Sequence, residues 1–200
     1  MLSRNVFYLT RPSAAELHRW LAAVEAAPAP EVPPMVGEVI DHNRIELGRG
    51  ALTFRRACEA LRRWEMFRLG WVEVHPAAAE IRVGVSVGVL VRALGLWSLN
   101  PCRIVALVEG SGAIERFGFV YRTLSGHAER GEESFEVEWR HEDDAVAYDL
   151  RARSRPAHAL VWLGYPLGRM LQRRFARDSK RAMLRAIACT SVSGFPGRKC

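Results

Sequence analysis

Lysine is almost missing from this chain. Lys180 and Lys199 are the only two, so arginine supplies nearly all of the 29 basic residues. The formal net charge of +7 and the isoelectric point of about 9.8 rest on arginine. Such a surplus raises the question of a polyanion partner, either nucleic acid or an acidic membrane face. No arginine-rich run, zinc-finger spacing or aromatic nucleic-acid box accompanies it. The sequence therefore disfavours nucleic acid and leaves peripheral membrane contact open.

Cysteine is sparse as well. Cys58, Cys102, Cys189 and Cys200 form no C-x-x-C pair, and none lies near a histidine at zinc spacing. That pattern excludes the common zinc modules and leaves no metal expected. Reduced thiols in a cytoplasmic protein are the simplest expectation. Met1 to Ser13 contains no apolar run of the signal-peptide kind, so no export is expected. Nor is there a stretch of the ~20 apolar residues that a transmembrane helix needs. The nearest, Val83 to Leu99, is interrupted by Arg92, and valines at 83, 85, 87, 89 and 91 alternate as in a strand. Gly48-Arg49-Gly50 lacks the Gly-Lys-Ser/Thr ending of a phosphate-binding loop and reads as a turn, so no cofactor is expected. There is no internal repeat.

What is present is a core. A hydrophobic fraction of 49% in 200 residues, with 26% charged, suits one globular domain. We place it over residues 1–188, followed by a flexible tail at 189–200. A strand is expected at Arg4–Leu9. Ser13-Ala-Ala-Glu16 is a capping box, and Leu17, Trp20, Leu21 and Val24 form one helical stripe. The prolines from Pro28 to Pro34 end that helix as a linker. Val36 to Gly50 has no clear period. A second helix follows from Leu52 to Trp64, with Phe54, Ala57, Cys58 and Leu61 on its apolar side.

From Gly70 the period becomes two. Strands are expected at Trp71–His75, Ile81–Val91, Arg103–Glu109, Arg116–Thr123, Ser134–Arg140 and Val146–Arg153. Apolar and polar residues alternate within them, so one face is buried and one wet. A long helix is expected from about Pro156 to Ala188, broken or kinked at Pro166, with Leu167, Leu171 and Phe175 buried against the sheet. The fold class is therefore α+β: a curved antiparallel sheet of about seven strands around a long C-terminal helix, with two shorter helices after the first strand. This order is similar to the helix-grip superfamily of the major birch-pollen allergen and the steroid-transfer lipid-binding domains.

Particular strings narrow the likeness. Gly70-Trp71, Asn100-Pro-Cys-Arg-Ile104, Phe119-Val-Tyr-Arg-Thr-Leu124, Gly126-His127, Gly131-Glu-Glu-Ser-Phe135 and Ser154-Arg-Pro156 together resemble uncharacterised protein family 0548. Val-Tyr-Arg-Thr-Leu stands where that family usually has Ala-Tyr-Gly-Thr-Leu. The resemblance implies the fold and brings no reaction with it.

The densest polar cluster runs from Ser125 to Ser134 and reads as a hairpin loop. Its His127, Glu129 and Glu132 are candidates for general acid–base work, imidazole as base and a glutamate to orient it. The duller reading is a soluble turn. Arg103, Tyr121, Thr123 and Tyr148 stand on otherwise apolar strand faces. Buried polar groups there need partners, either inside the protein or on a ligand. Arg103 is expected to share its face with Val105 and Leu107 and to approach the interior. Gly84 and Gly88 leave room for close helix packing or for a pocket.

Three functions fit. The first is a binding module for a small apolar or amphipathic ligand, a lipid for instance, in a cavity between sheet and C-terminal helix. The second is a hydrolase or cyclase on the same scaffold, using His127 and nearby glutamates. The third is an interaction protein whose basic final helix docks an acidic surface.

Overall fold

The computed structural model describes residues 7–26, 39–124, 127, 129–156 and 165–190. The strands are β1 (Phe7–Tyr8), β2 (Val39–Arg49), β3 (Val72–His75), β4 (Ser86–Ala93), β5 (Leu96–Gly110), β6 (Ile114–Thr123), β7 (Glu129–Arg140) and β8 (Ala145–Pro156). The helices are α1 (Ala14–Glu25), α2 (Gly50–Arg62) and α3 (Tyr165–Thr190), and a 3-10 turn covers Glu65–Phe67. Seven strands make one continuous path, β2-β8-β7-β6-β5-β4-β3, and β1 pairs with β5 beside it. From β3 to β8 each strand is the antiparallel neighbour of the next. Short connections permit only that meander. The sheet curls around the helices on its concave side, which is the helix-grip arrangement.

The concave side holds the core. Trp64, Phe67, Phe119, Tyr121, Phe135 and Phe175 pack with ring centroids 4.9–6.4 Å apart. Trp64 ends α2 in a left-handed conformation, φ 56°, and its indole N–H donates to the Ala79 carbonyl at 2.8 Å. That reversal aims Met66 and Phe67 into the interior, where both are buried. β6 and β7 approach so closely at Gly118 that a Cβ there would lie 2.3 Å from the Phe135 carbonyl oxygen. Leu171 and Phe175 of α3 are half-buried and pack against this core; Leu167 is half-buried too.

The convex side is covered at one end only. The capping box forms as expected, with Ser13 Oγ accepting from the Glu16 N–H and Glu16 accepting from the Ser13 N–H. α1 then lays Leu17 and Trp20 on Leu90 and Leu99. Gly88 permits this, since a Cβ would meet Trp20 and Leu99 at 2.9 Å.

Several expectations need correction. Val39–Arg49 is an edge strand of eleven residues, not an irregular segment with a turn. It separates α1 from α2, so the two shorter helices are not consecutive. Its period is masked because Asp41 and Asn43 sit in the concave-facing positions, where an apolar residue is the usual sign. β4 begins at Ser86 rather than Ile81, after Gly84 turns the chain at φ +91°. β5 begins at Leu96 and β7 at Glu129, both earlier than expected. Pro166 lies in the first turn of α3, where its missing N–H breaks no helical bond, and residues 157–164 ahead of that helix lie outside the described residues. Arg4 to Val6, the proline linker and residues 191–200 of the tail lie outside the described residues.

Candidate functional site

Cross-strand partners share a face of a sheet, so the register places side chains in rows. Asp41, Ala152, Glu133 and Tyr121 form one row across β2, β8, β7 and β6. Asn43, Leu150, Phe135 and Phe119 form the next. Both rows face α3. Where they meet it, a groove of about 280 Å³ remains, lined on the sheet by Asp41, Asn43, Glu133, Leu150 and Ala152, and on the helix by Gln172, Phe175, Ala176 and Lys180.

The groove has an apolar wall and a polar rim. Leu150, Ala152, Phe175 and Ala176 make the wall. On the rim Arg169 binds Asp41 with both terminal nitrogens, one at 2.8 Å, and this hydrogen bond holds the Asp41 carboxyl below the usual range. Lys180 donates to Asn43 at 3.3 Å. At the inner end Glu133 accepts from the Tyr121 hydroxyl at 2.8 Å. Burial, and then the Glu133 charge, push the Tyr121 phenol well above its ordinary value, so it remains a donor.

The ligand candidates separate. Tyr121 is buried on the concave face and reaches the groove through Glu133. Tyr148 is fully buried, shares a hydrogen bond of 2.8 Å with Ser179 of α3, and has its phenol pushed up by burial. Thr123 accepts from the Gly131 N–H at 3.0 Å, tying the ends of β6 and β7 together. Arg103 is on the other side of the sheet. It donates to Ser86 at 2.9 Å and to the Val24 and Glu25 carbonyls at 3.1 and 3.2 Å, at the C-terminal end of α1. The expectation that Arg103 shares a face with Leu107 fails because the register shifts between Ile104 and Ala106. Beyond that bulge Leu107 stands opposite Phe119, on the concave face.

Of the hairpin candidates, Glu132 and the His127 backbone can be placed. Glu132 pairs with Arg122 at 2.7 Å on the convex face, because the two are cross-strand partners. The His127 backbone N–H donates to Leu124 at 3.2 Å. The Glu129 side chain, and Ser125, Gly126 and Ala128, lie outside the described residues. Among the described residues no cluster of His, Cys, Asp and Glu is arranged to hold a metal. Cys58 and Cys102 are free and buried; burial pushes Cys58 to about 11 and Cys102 well above its ordinary value, so neither is a ready nucleophile. The final helix is basic, yet Arg174, Arg177 and Arg181 gather around Asp178.

The convex face carries a cluster the sequence reading did not find. Asp149, fully buried, accepts from His42 at 2.8 Å and Arg44 at 3.0 Å, and Arg151 lies at 2.9 Å. Burial pushes its carboxyl up, but these partners outweigh that and hold it below the ordinary range. Arg44 also reaches Glu138 at 2.6 Å, which Arg116 bonds at 2.9 Å. A second, wider cleft of about 640 Å³ lies between α2 and the β5–β6 turn, where Arg62 stacks over Phe117 at 4.1 Å.

Sequence alone could have pointed to Glu133, a charged residue at the same strand parity as Phe135 and Val137 and so on their apolar face. Asp41 and Asn43 gave no signal because their segment shows no clear period, and Gln172 and Lys180 gave none because their helix face reads as wet.

Comparison with known proteins covers most of the chain. A UPF0548 protein of Dictyostelium discoideum is 39% identical over 157 residues, which is 74% of this chain and 72% of that protein. One from Arabidopsis thaliana is 32% identical over 154 residues, 76% of this chain and 74% of that protein. Among solved structures, Ara h 8.0201 overlaps with a TM-score of 0.45 at 11% identity, over 74% of this chain and 99% of that one. Norcoclaurine synthase from Thalictrum flavum, in complex with dopamine and hydroxybenzaldehyde, gives 0.45 at 9%, over 86% and 100%. Residues 21–182 match the family model described as Domain of unknown function (DUF1990). On that match and those identities, the chain belongs to the DUF1990, or UPF0548, family.

Proposed function

We propose that this chain binds a small amphipathic ligand in the groove between α3 and strands β2, β7 and β8. One observation carries the reading: an apolar wall of Leu150, Ala152, Phe175 and Ala176 ends at a carboxylate, Glu133, that is fixed by a buried phenol. Apolar walls with a few convergent polar groups are the usual make-up of a small-molecule site. At about 280 Å³ the groove is at the lower end of such sites, so the ligand is small. Phe67, Phe119, Phe135 and Phe175 pack against one another behind it, which favours a ligand seated at the rim.

Tyr121 belongs to this site through Glu133. Tyr148 and Thr123 support its walls from behind. Binding is favoured over the hydrolase or cyclase alternative because Glu132, one of its candidate groups, is held by Arg122 on the convex face, away from the groove. The two buried thiols suit a reducing compartment, in keeping with a cytoplasmic location.

Native mass spectrometry of the freshly purified chain tests the reading. It should find a non-covalent small molecule that is released on denaturation. Ala152→Phe fills the groove from the sheet side and should abolish that mass while the melting curve stays cooperative. A wild-type chain with no such mass, or a folded Ala152→Phe protein that retains it, overturns the proposal.

A further inference from the structure

The hairpin joining β4 and β5 closes in two residues, Leu94 and Gly95, because Ala93 pairs with Leu96. Both loop residues have positive φ, 51° and 80°. That is the geometry of a type I′ turn, in which Asn-Gly or Asp-Gly is the favoured pair. A bulky side chain at positive φ is strained. Leucine therefore does not suit this backbone, and it is not rewarded by burial, being 79% exposed. Two other strand turns follow the ordinary rule: the β7–β8 turn places Asp144 at positive φ, and the β5–β6 turn places Gly112 there.

The surroundings of Leu94 are apolar too. Leu96 is 39% exposed, Phe7 63% and Leu9 84%. Phe7 stands opposite Ser98, two residues from Leu96, so Phe7 and Leu96 share a face. The pairing of β3 with β4 ends at Val91, and Ala93 to Leu96 extend past that neighbour as a tip. From Val83 to Cys102 the one charged residue is Arg92, which is exposed beside the tip.

We propose that this tip is a membrane-contact element that inserts into an anionic lipid surface. Leu94 enters first, Leu96, Phe7 and Leu9 follow to the level of the acyl boundary, and Arg92 meets headgroup phosphates. Apolar burial combined with electrostatic attraction to anionic lipid is the usual source of such interfacial binding. The chain's net charge of +7 has the sign that favours this approach. A second copy of the chain fits less well. Four side chains offer on the order of 400 Å², below the roughly 800 Å² per partner of a stable interface. A bilayer sets no such minimum for a protruding tip. This proposal is independent of the groove.

The test compares the intact wild-type chain with Leu94→Asn and Arg92→Gln. Binding is measured by co-sedimentation with vesicles of mixed phosphatidylserine and phosphatidylcholine, and with phosphatidylcholine alone. Wild type should bind the mixed vesicles, and more weakly as salt rises. Leu94→Asn creates the favoured Asn-Gly turn, so its melting temperature should not fall, while its vesicle partition coefficient should drop about tenfold or more. Arg92→Gln should lose about fivefold on the anionic vesicles and show little change on the neutral ones. Wild type that does not bind, or a Leu94→Asn protein that binds as wild type does, overturns the proposal. A concentration-dependent dimer that Leu94→Asn abolishes, without vesicle binding, also overturns it and assigns the tip to a second copy.

Discussion

Tyr148 and Asp149 are neighbours in β8, point to opposite faces of one sheet, and are both fully buried. They are buried by different means. Tyr148 lies beneath α3 among packed apolar side chains, with a single polar contact to Ser179. None of the described helices covers Asp149; His42 and Arg44 of β2 and Arg151 of β8 itself, 52%, 40% and 48% exposed, close over it. The concave face thus excludes water with packed volume, and the convex face does so with long charged side chains that keep their heads partly wet. The first means is stiff and sensitive to any change of shape. The second tolerates changes of shape and is sensitive to pH.

Mutations can sharpen or break this contrast. Phe135→Ala empties the centre of the aromatic cluster and should cost about 3–5 kcal/mol in a denaturant melt. A loss below about 1 kcal/mol would mean that the concave side is not rigidly packed. Asp149→Asn should cost less, about 1–3 kcal/mol, because its cationic partners can turn to solvent. It should also change the response to acid. The Asp149 carboxyl is lowered in the folded protein, so its contribution is present above the unfolded value of about 3.9. That contribution is lost as pH falls through the lower folded value. Melting temperature measured from neutral pH down into that range should therefore decline less steeply in Asp149→Asn than in wild type. Parallel curves would show that the convex cluster is not what senses acid.

Gly88→Ala tests a place where the convex face is packed like the concave one. The new methyl would press Trp20 and Leu99, costing about 1–2 kcal/mol. No loss would show that α1 yields easily. The smallest effect is expected at Glu132→Gln, where a partly exposed pair with Arg122 should be worth about 0–1 kcal/mol. A much larger loss, or a lost ligand mass, would return Glu132 to the candidates for function.

Period-two alternation revealed β6, β7 and β8 because each sets large apolar residues against charges. The same signal failed at β2. A strand bordering a groove does not need apolar residues on its inner face, so Asp41 and Asn43 interrupt the pattern where the site lies. Arg103 was misplaced for a different reason. Counting by twos from Arg103 to Leu107 assumes an unbroken pleat, and a single bulge near Val105 reverses the faces beyond it.

By itself the sequence determined the class of fold, the meander, the long closing helix, the capping box of α1 and the likeness to family 0548. These follow from periodicity, caps and local strings, all of which act over a few neighbouring residues. Only the tertiary structure decided which polar groups meet. Glu133 finds Tyr121 across β6 and β7, Asp149 collects His42 and Arg44 from a strand more than a hundred positions away, and Arg103 closes the end of α1. Those pairings depend on strand order and register, which are set by the whole sheet closing on its core, and no local pattern encodes them.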